Sequence, residues 1–118
     1  MSSPRSGPYV CGIDAAMDVV GGKWKALILW ELHHGGVRRF GQLRRGLPGV
    51  SEKVLIQQLR ELEEDGIVHR EVYREVPPRV EYTLTTQGEA LNQALEPLGA
   101  WGRERITRIG AHRMGDPS

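Results

Sequence analysis

This sequence of 118 residues has little cysteine, little lysine and few aromatic side chains: one Cys, three Lys, and one Phe beside three Trp and three Tyr. With Cys11 alone, no disulfide can close within the chain. No positively charged stretch leads into an apolar core at the start, so a reducing cytoplasm is the expected location. Long apolar runs are missing too. The most apolar, 26–30, is far shorter than the ~20 residues that span a bilayer, and no membrane contact is expected. There is no internal repeat and no low-complexity tract. One Cys and four scattered His give no paired-ligand spacing, so neither a metal nor a cofactor is expected. A nucleophile–base pair from Cys11 and His33 or His34 has no third orienting residue, which argues against an enzyme.

At roughly 150 residues per domain, the length allows a single core. The formal charge of +1, with 26% charged and 39% hydrophobic residues, fits a globular chain. Sixteen basic residues balance fifteen acidic ones, but unevenly along the sequence. Between Gly35 and Arg60 stand Arg38, Arg39, Arg44, Arg45, Lys53 and Arg60 against Glu52 alone. Glu61, Glu63, Glu64 and Asp65 follow at once, so near-neutrality conceals a dipole. The preponderance of Arg suits groups that fork onto phosphate or carboxylate oxygens.

Residues 1–10 and 111–118 carry no apolar period and are expected to be flexible tails around one domain, 11–110. Within it, helical spacing over 11–20 places Ile13, Ala16, Met17 and Val20 on a first helix closed by Gly21-Gly22. A second helix is expected from Lys23 to about His33. Trp24, Leu27, Ile28, Leu29, Trp30 and Leu32 surround it with apolar surface, the pattern of a buried central helix. Trp24 and Trp30 are then core residues or the walls of a ligand cage. A short third helix runs from Phe40 to Gly46 and breaks at Leu47-Pro48-Gly49.

The fourth helix opens with Ser51 as N-cap, repeats Leu55, Leu59 and Leu62, and ends at Asp65-Gly66. The period then changes to two. Val68 to Tyr73 and Val80 to Leu84 predict a hairpin around Pro77-Pro78. Thr85 or Thr86 caps the last helix, Thr86 with Glu89 at capping-box spacing. That helix carries Leu91, Leu95, Leu98 and Trp101, with a kink or interruption expected at Pro97. The fold class is therefore mainly α with a small β-hairpin (α+β), in the order of a winged helix-turn-helix.

Such a fold reads duplex DNA by laying a helix in the major groove and a hairpin along the backbone. Ser51 and the free N–H groups of the first turn suit a phosphate, as does Lys53. Gln57 pairs naturally with adenine, Arg60 with guanine or phosphate, and Ile56 with a thymine methyl. Arg74 and Arg79 flank the Pro-Pro pair and are candidate backbone contacts of the wing. The alternative is a solvated polar face on a module that binds protein or a small ligand without reading DNA.

Several blocks decide for the first reading: Gly21-Gly22-Lys23-Trp24-Lys25, Ile28-Leu29-Trp30, Arg39-Phe40, Leu47-Pro48-Gly49-Val50-Ser51, 58–66 (QLRELEEDG) and 76–82 (VPPRVEY). With Cys11, they closely resemble the HxlR family of bacterial transcriptional regulators, over about 11–101. The resemblance implies a MarR-like winged-helix homodimer on pseudo-palindromic promoter DNA, paired through its first and last helices. Ile13, Met17, Leu91, Leu95, Leu98 and Trp101 would supply that interface, and Arg39 joins the candidate DNA contacts. Two positions depart from the family: Ile56 stands where Ser or Thr is more frequent, and Gly12 where Pro commonly follows the cysteine.

Some relatives of this type resemble one another in sensing oxidants or electrophiles through an N-terminal cysteine. For Cys11 the helix dipole favours thiolate and Asp14 opposes it. A redox-sensing Cys11 answering a small electrophile or oxidant, and an ordinary partly buried one, both remain open.

Overall fold

Residues 7–111 are described by a computed structural model; of the expected tails, 1–10 and 111–118, residues 7–10 and 111 form neither helix nor strand and the rest lie outside the described residues. Five helices and one hairpin follow in order: α1 (Gly12–Val20), α2 (Trp24–Gly35), α3 (Phe40–Gly46), α4 (Glu52–Glu64), β1 (Val68–Tyr73), β2 (Arg79–Leu84) and α5 (Thr86–Ile109).

The core is aliphatic. Ile28, Leu29 and Leu32 of α2 meet Leu43 of α3 and Leu55, Leu59 and Leu62 of α4, closed below by Leu47, Val50, Ile67 and Val68. The leucine repeat of α4 therefore faces inward, and full burial of each leucine contributes about 1.5–3 kcal/mol. Its polar residues are thereby left outward. The turn between α3 and α4 is closed by Val50 N–H donating to the Leu47 carbonyl (3.1 Å), with Gly49 at φ +93°, where a Cβ would be strained. Gly66 at φ +76° reverses the chain after α4, and Ile67 N–H donates to the Leu62 carbonyl (2.9 Å).

β1 and β2 pair antiparallel from Val68 with Leu84 to Tyr73 with Arg79. A further rung comes from Arg38, just before α3. Its N–H donates to the Tyr82 carbonyl (3.0 Å) and its carbonyl accepts from Tyr82 N–H (2.8 Å).

Several expectations need correction. α2 continues to Gly35, and it is not buried all round: Trp30 is 51% and Leu27 40% exposed. Only Trp24 of the two α2 tryptophans packs against the core. Thr85 caps α5, accepting from Gly88 N–H (3.0 Å), and its hydroxyl donates to the Gly66 carbonyl (2.6 Å). The Thr86–Glu89 capping box does not form, because the hydroxyl with both a donor and an acceptor within reach lies one residue earlier. Nor does Pro97 interrupt α5, which runs through it. Leu91 and Leu95 pack on the monomer's own core.

Candidate nucleic-acid interface

Ser51 Oγ accepts from Val54 N–H (3.1 Å), fixing the start of α4, while the N–H groups of Glu52 and Lys53 precede the first intrahelical bond. These donors and the positive end of the helix dipole favour an anion there. Beyond the cap, Glu52, Lys53, Ile56, Gln57 and Arg60 line one open depression of about 600 Å3. The sequence-predicted residues of α4 are thus brought to a single face. Glu52 is the acid in that face, and Arg44 of α3 lies 3.8 Å from it, offsetting its charge. Arg39, exposed at the N-cap of α3, donates its backbone N–H to Gln42 Oε1 (2.8 Å).

The acidic run does not act as one block. Glu61 forms an ion pair with Lys25 of α2 at 2.5 Å, and both side chains are largely buried. Glu61 also accepts a hydrogen bond from Gln57 Nε2 (3.3 Å). Glu63 and Glu64 remain exposed at the far end of the helix.

In the wing the two candidate arginines fare differently. Arg74 is exposed in the loop, and no ion pair or hydrogen bond holds its side chain among the described residues. Arg79 is folded into the hairpin. Its guanidinium lies 4.0 Å from the centre of the Tyr73 ring, 3.7 Å from Glu75 and 3.6 Å from Glu81. Its buried Nε has no hydrogen-bond partner among the described residues. Arg79 therefore shapes the wing more directly than it presents charge.

One residue escaped sequence reasoning. Arg70 of β1 joins Ile56, Leu59, Arg60, Tyr82 and the acid Glu63 around a second cleft of about 320 Å3 between α4 and the hairpin. Its signal was the two-residue period: Arg70 shares a strand face with Val68, which is buried, so it must turn toward α4.

Away from this face, Ile13 (73%), Met17 (50%), Leu98 (61%) and Trp101 (57%) are exposed on α1 and α5. Cys11 is exposed at the N-cap of α1 and makes no capping bond. Asp14 Oδ2 accepts from Val10 N–H instead (3.1 Å). Among the described residues no three His, Cys, Asp or Glu gather as metal ligands, and no helix is long and apolar enough to cross a membrane.

The model of the HxlR-like helix-turn-helix family matches residues 19–109. The chain belongs to that family. HxlR-type proteins are transcriptional regulators, and this chain is one of them, a winged helix-turn-helix regulator and not an enzyme. It is 46% identical over 101 residues to the HTH-type transcriptional regulator YtcD of Bacillus subtilis (strain 168), covering 86% of this chain and 79% of YtcD. The redox regulator HypR in its reduced form superposes with a TM-score of 0.78 at 40% identity, covering 86% of this chain and all (100%) of that one. In its oxidised form the values are 0.73 and 45%, with 80% and 96% coverage. Diamide-treated YodB from B. subtilis superposes at 0.68 with 34% identity, covering 80% and 94%. The resemblance read from the sequence blocks is thereby established.

Proposed function

We propose that this HxlR-type regulator acts in the cytoplasm as a homodimer on promoter DNA, each protomer placing the N-terminal half of α4 in a major groove. One observation carries this reading: Lys53, Ile56, Gln57 and Arg60 share an open face directly after a capped helix N-terminus. Ser51 and Lys53 hold phosphates, while Gln57, Ile56 and Arg60 meet base edges. Arg39, Arg70 and Arg74 take the flanking backbone, and Arg79 holds the wing in shape. With two-fold symmetry the half-sites lie roughly 34–36 Å apart.

Pairing through α1 and α5 is supported by Ile13, Met17, Leu98 and Trp101, whose burial in a second copy would remove large apolar surface from water. Leu91 and Leu95 contribute less, since the core already covers them in part. Cys11 is the sensing residue of the proposal, supported by its exposure and by the likeness to a regulator solved in reduced and oxidised forms.

The deciding experiment is a gel shift with a pool of duplex DNA at two salt concentrations. Phosphate neutralisation makes affinity fall steeply with salt. Absence of binding at low salt, or affinity indifferent to salt, would favour a protein- or ligand-binding module instead.

A further inference from the structure

We infer that Glu61, held by the buried Lys25, is a positioning residue that orients the Gln57 amide and so sets which base Gln57 reads. The inference rests on the α4 reading above.

Lys25 is 5% exposed and sits at the start of α2, beneath α4. A buried ammonium needs a partner, and Glu61 provides it at 2.5 Å. The pair fixes the Glu61 carboxylate to a second helix instead of leaving it to swing in solvent. Its Oε2 then meets Gln57 Nε2 at 3.3 Å, one turn back along α4. An ionised carboxylate only accepts hydrogen bonds, so Gln57 must turn its NH2 group toward Glu61 and its carbonyl oxygen away.

The chemical consequence lies in what Gln57 has left. With Glu61 taking the amide hydrogen that points away from Oε1, the other hydrogen and Oε1 remain, side by side. A donor next to an acceptor matches the N7 acceptor and N6 donor of adenine, and does not match the two acceptors of guanine. Without Glu61 the amide turns over freely, presenting the two groups in either order. The acid at position 61 is therefore part of the reading apparatus, although it lies at the inner end of the polar face.

The test compares three proteins by binding-site selection, followed by affinity measurement at each base pair of the selected half-site. Gln57→Ala serves as the benchmark and should lose a preference of about tenfold at one base pair. Lys25→Met combined with Glu61→Leu removes both charges together, which avoids stranding one of them in the core. This double variant should lose the same preference at the same base pair, with affinity for unrelated DNA and its salt dependence within about twofold of the wild type. A double variant that keeps the wild-type preference overturns the inference and leaves the role of Gln57 standing. If Gln57→Ala also keeps it, the α4 reading itself fails. Should the double variant not fold, side-chain 15N relaxation of Gln57 in the free wild type decides. An order parameter near the rigid-backbone value of ~0.85 supports the arrangement, and one below ~0.6 overturns it.

Discussion

His33 Nδ1 lies 2.8 Å from Glu89 Oε1, joining the last turn of α2 to the first turn of α5. Both side chains are more than a third exposed, at 37% and 47%, so solvent and salt screen the contact. Glu89→Ala should therefore cost less than about 1 kcal/mol, including the lost acid at a helix N-terminus. Thermal melts at low and high salt check this, and the gap from wild type should narrow as salt is added.

Gly88 has a sharper constraint. A Cβ built there would run into the Ile67 carbonyl and come within 3.1 Å of Leu84 Cδ2, where α5 docks on the chain leaving α4. Gly88→Ala should destabilise by about 1–3 kcal/mol through overpacking. Gly99 lies in the exposed middle of the same helix, where a Cβ meets nothing closer than 3.7 Å. Gly99→Ala should stabilise by about 0.5–1 kcal/mol. Urea unfolding of the two variants should move the midpoint in opposite directions.

On DNA, Lys53→Ala should weaken binding to all sequences alike and lower the slope of log affinity against log salt by about 1. Gln57→Ala should cost about 1–3 kcal/mol at a single base pair and little elsewhere. Titrations against the selected site and its single-base variants separate the two. Uniform losses from both would contradict the division between phosphate and base contacts.

Arg74 and Arg79 should separate by a different criterion. Arg74→Ala is expected to lower DNA affinity without shifting the melting temperature, since no partner within the hairpin is lost. Arg79→Ala removes the stacking on Tyr73 and the two acidic contacts, so stability should fall together with affinity. Equal behaviour of the two in both assays would refute this assignment.

Diamide should convert the protein to a covalent dimer on a non-reducing gel. Two Cys11 thiols, one from each protomer, lose two electrons and two protons to the reagent and form one S–S bond. DNA affinity should change in parallel. Cys11→Ser should show neither response, and a wild-type binding curve unaltered by diamide removes the switch.

The element order was legible because each boundary carries its own chemistry: Ser51 as a cap, Gly66 as a reversal, a period of two in 80–84. The face of α4 was legible for the same reason, since Leu55, Leu59 and Leu62 dictate which side is left for Lys53, Ile56, Gln57 and Arg60. What escaped depends on contacts between distant residues. Arg79 looked like free charge until Tyr73, Glu75 and Glu81 closed around it. Trp30 looked buried because the apolar period of α2 does not reveal how much of its circumference the other helices cover. Thr85 and Thr86 were equivalent candidates until the Gly66 carbonyl, nineteen positions upstream of Thr85, selected one.

The backbone rung between Arg38 and Tyr82 has a mechanical consequence. It ties the hairpin to the segment that leads into α3, so a tilt of the α3–α4 pair would be passed to β2 through the two Arg38–Tyr82 hydrogen bonds. In the proposed DNA-bound arrangement, groove depth and wing reach would then shift together, and a new operator would have to suit both.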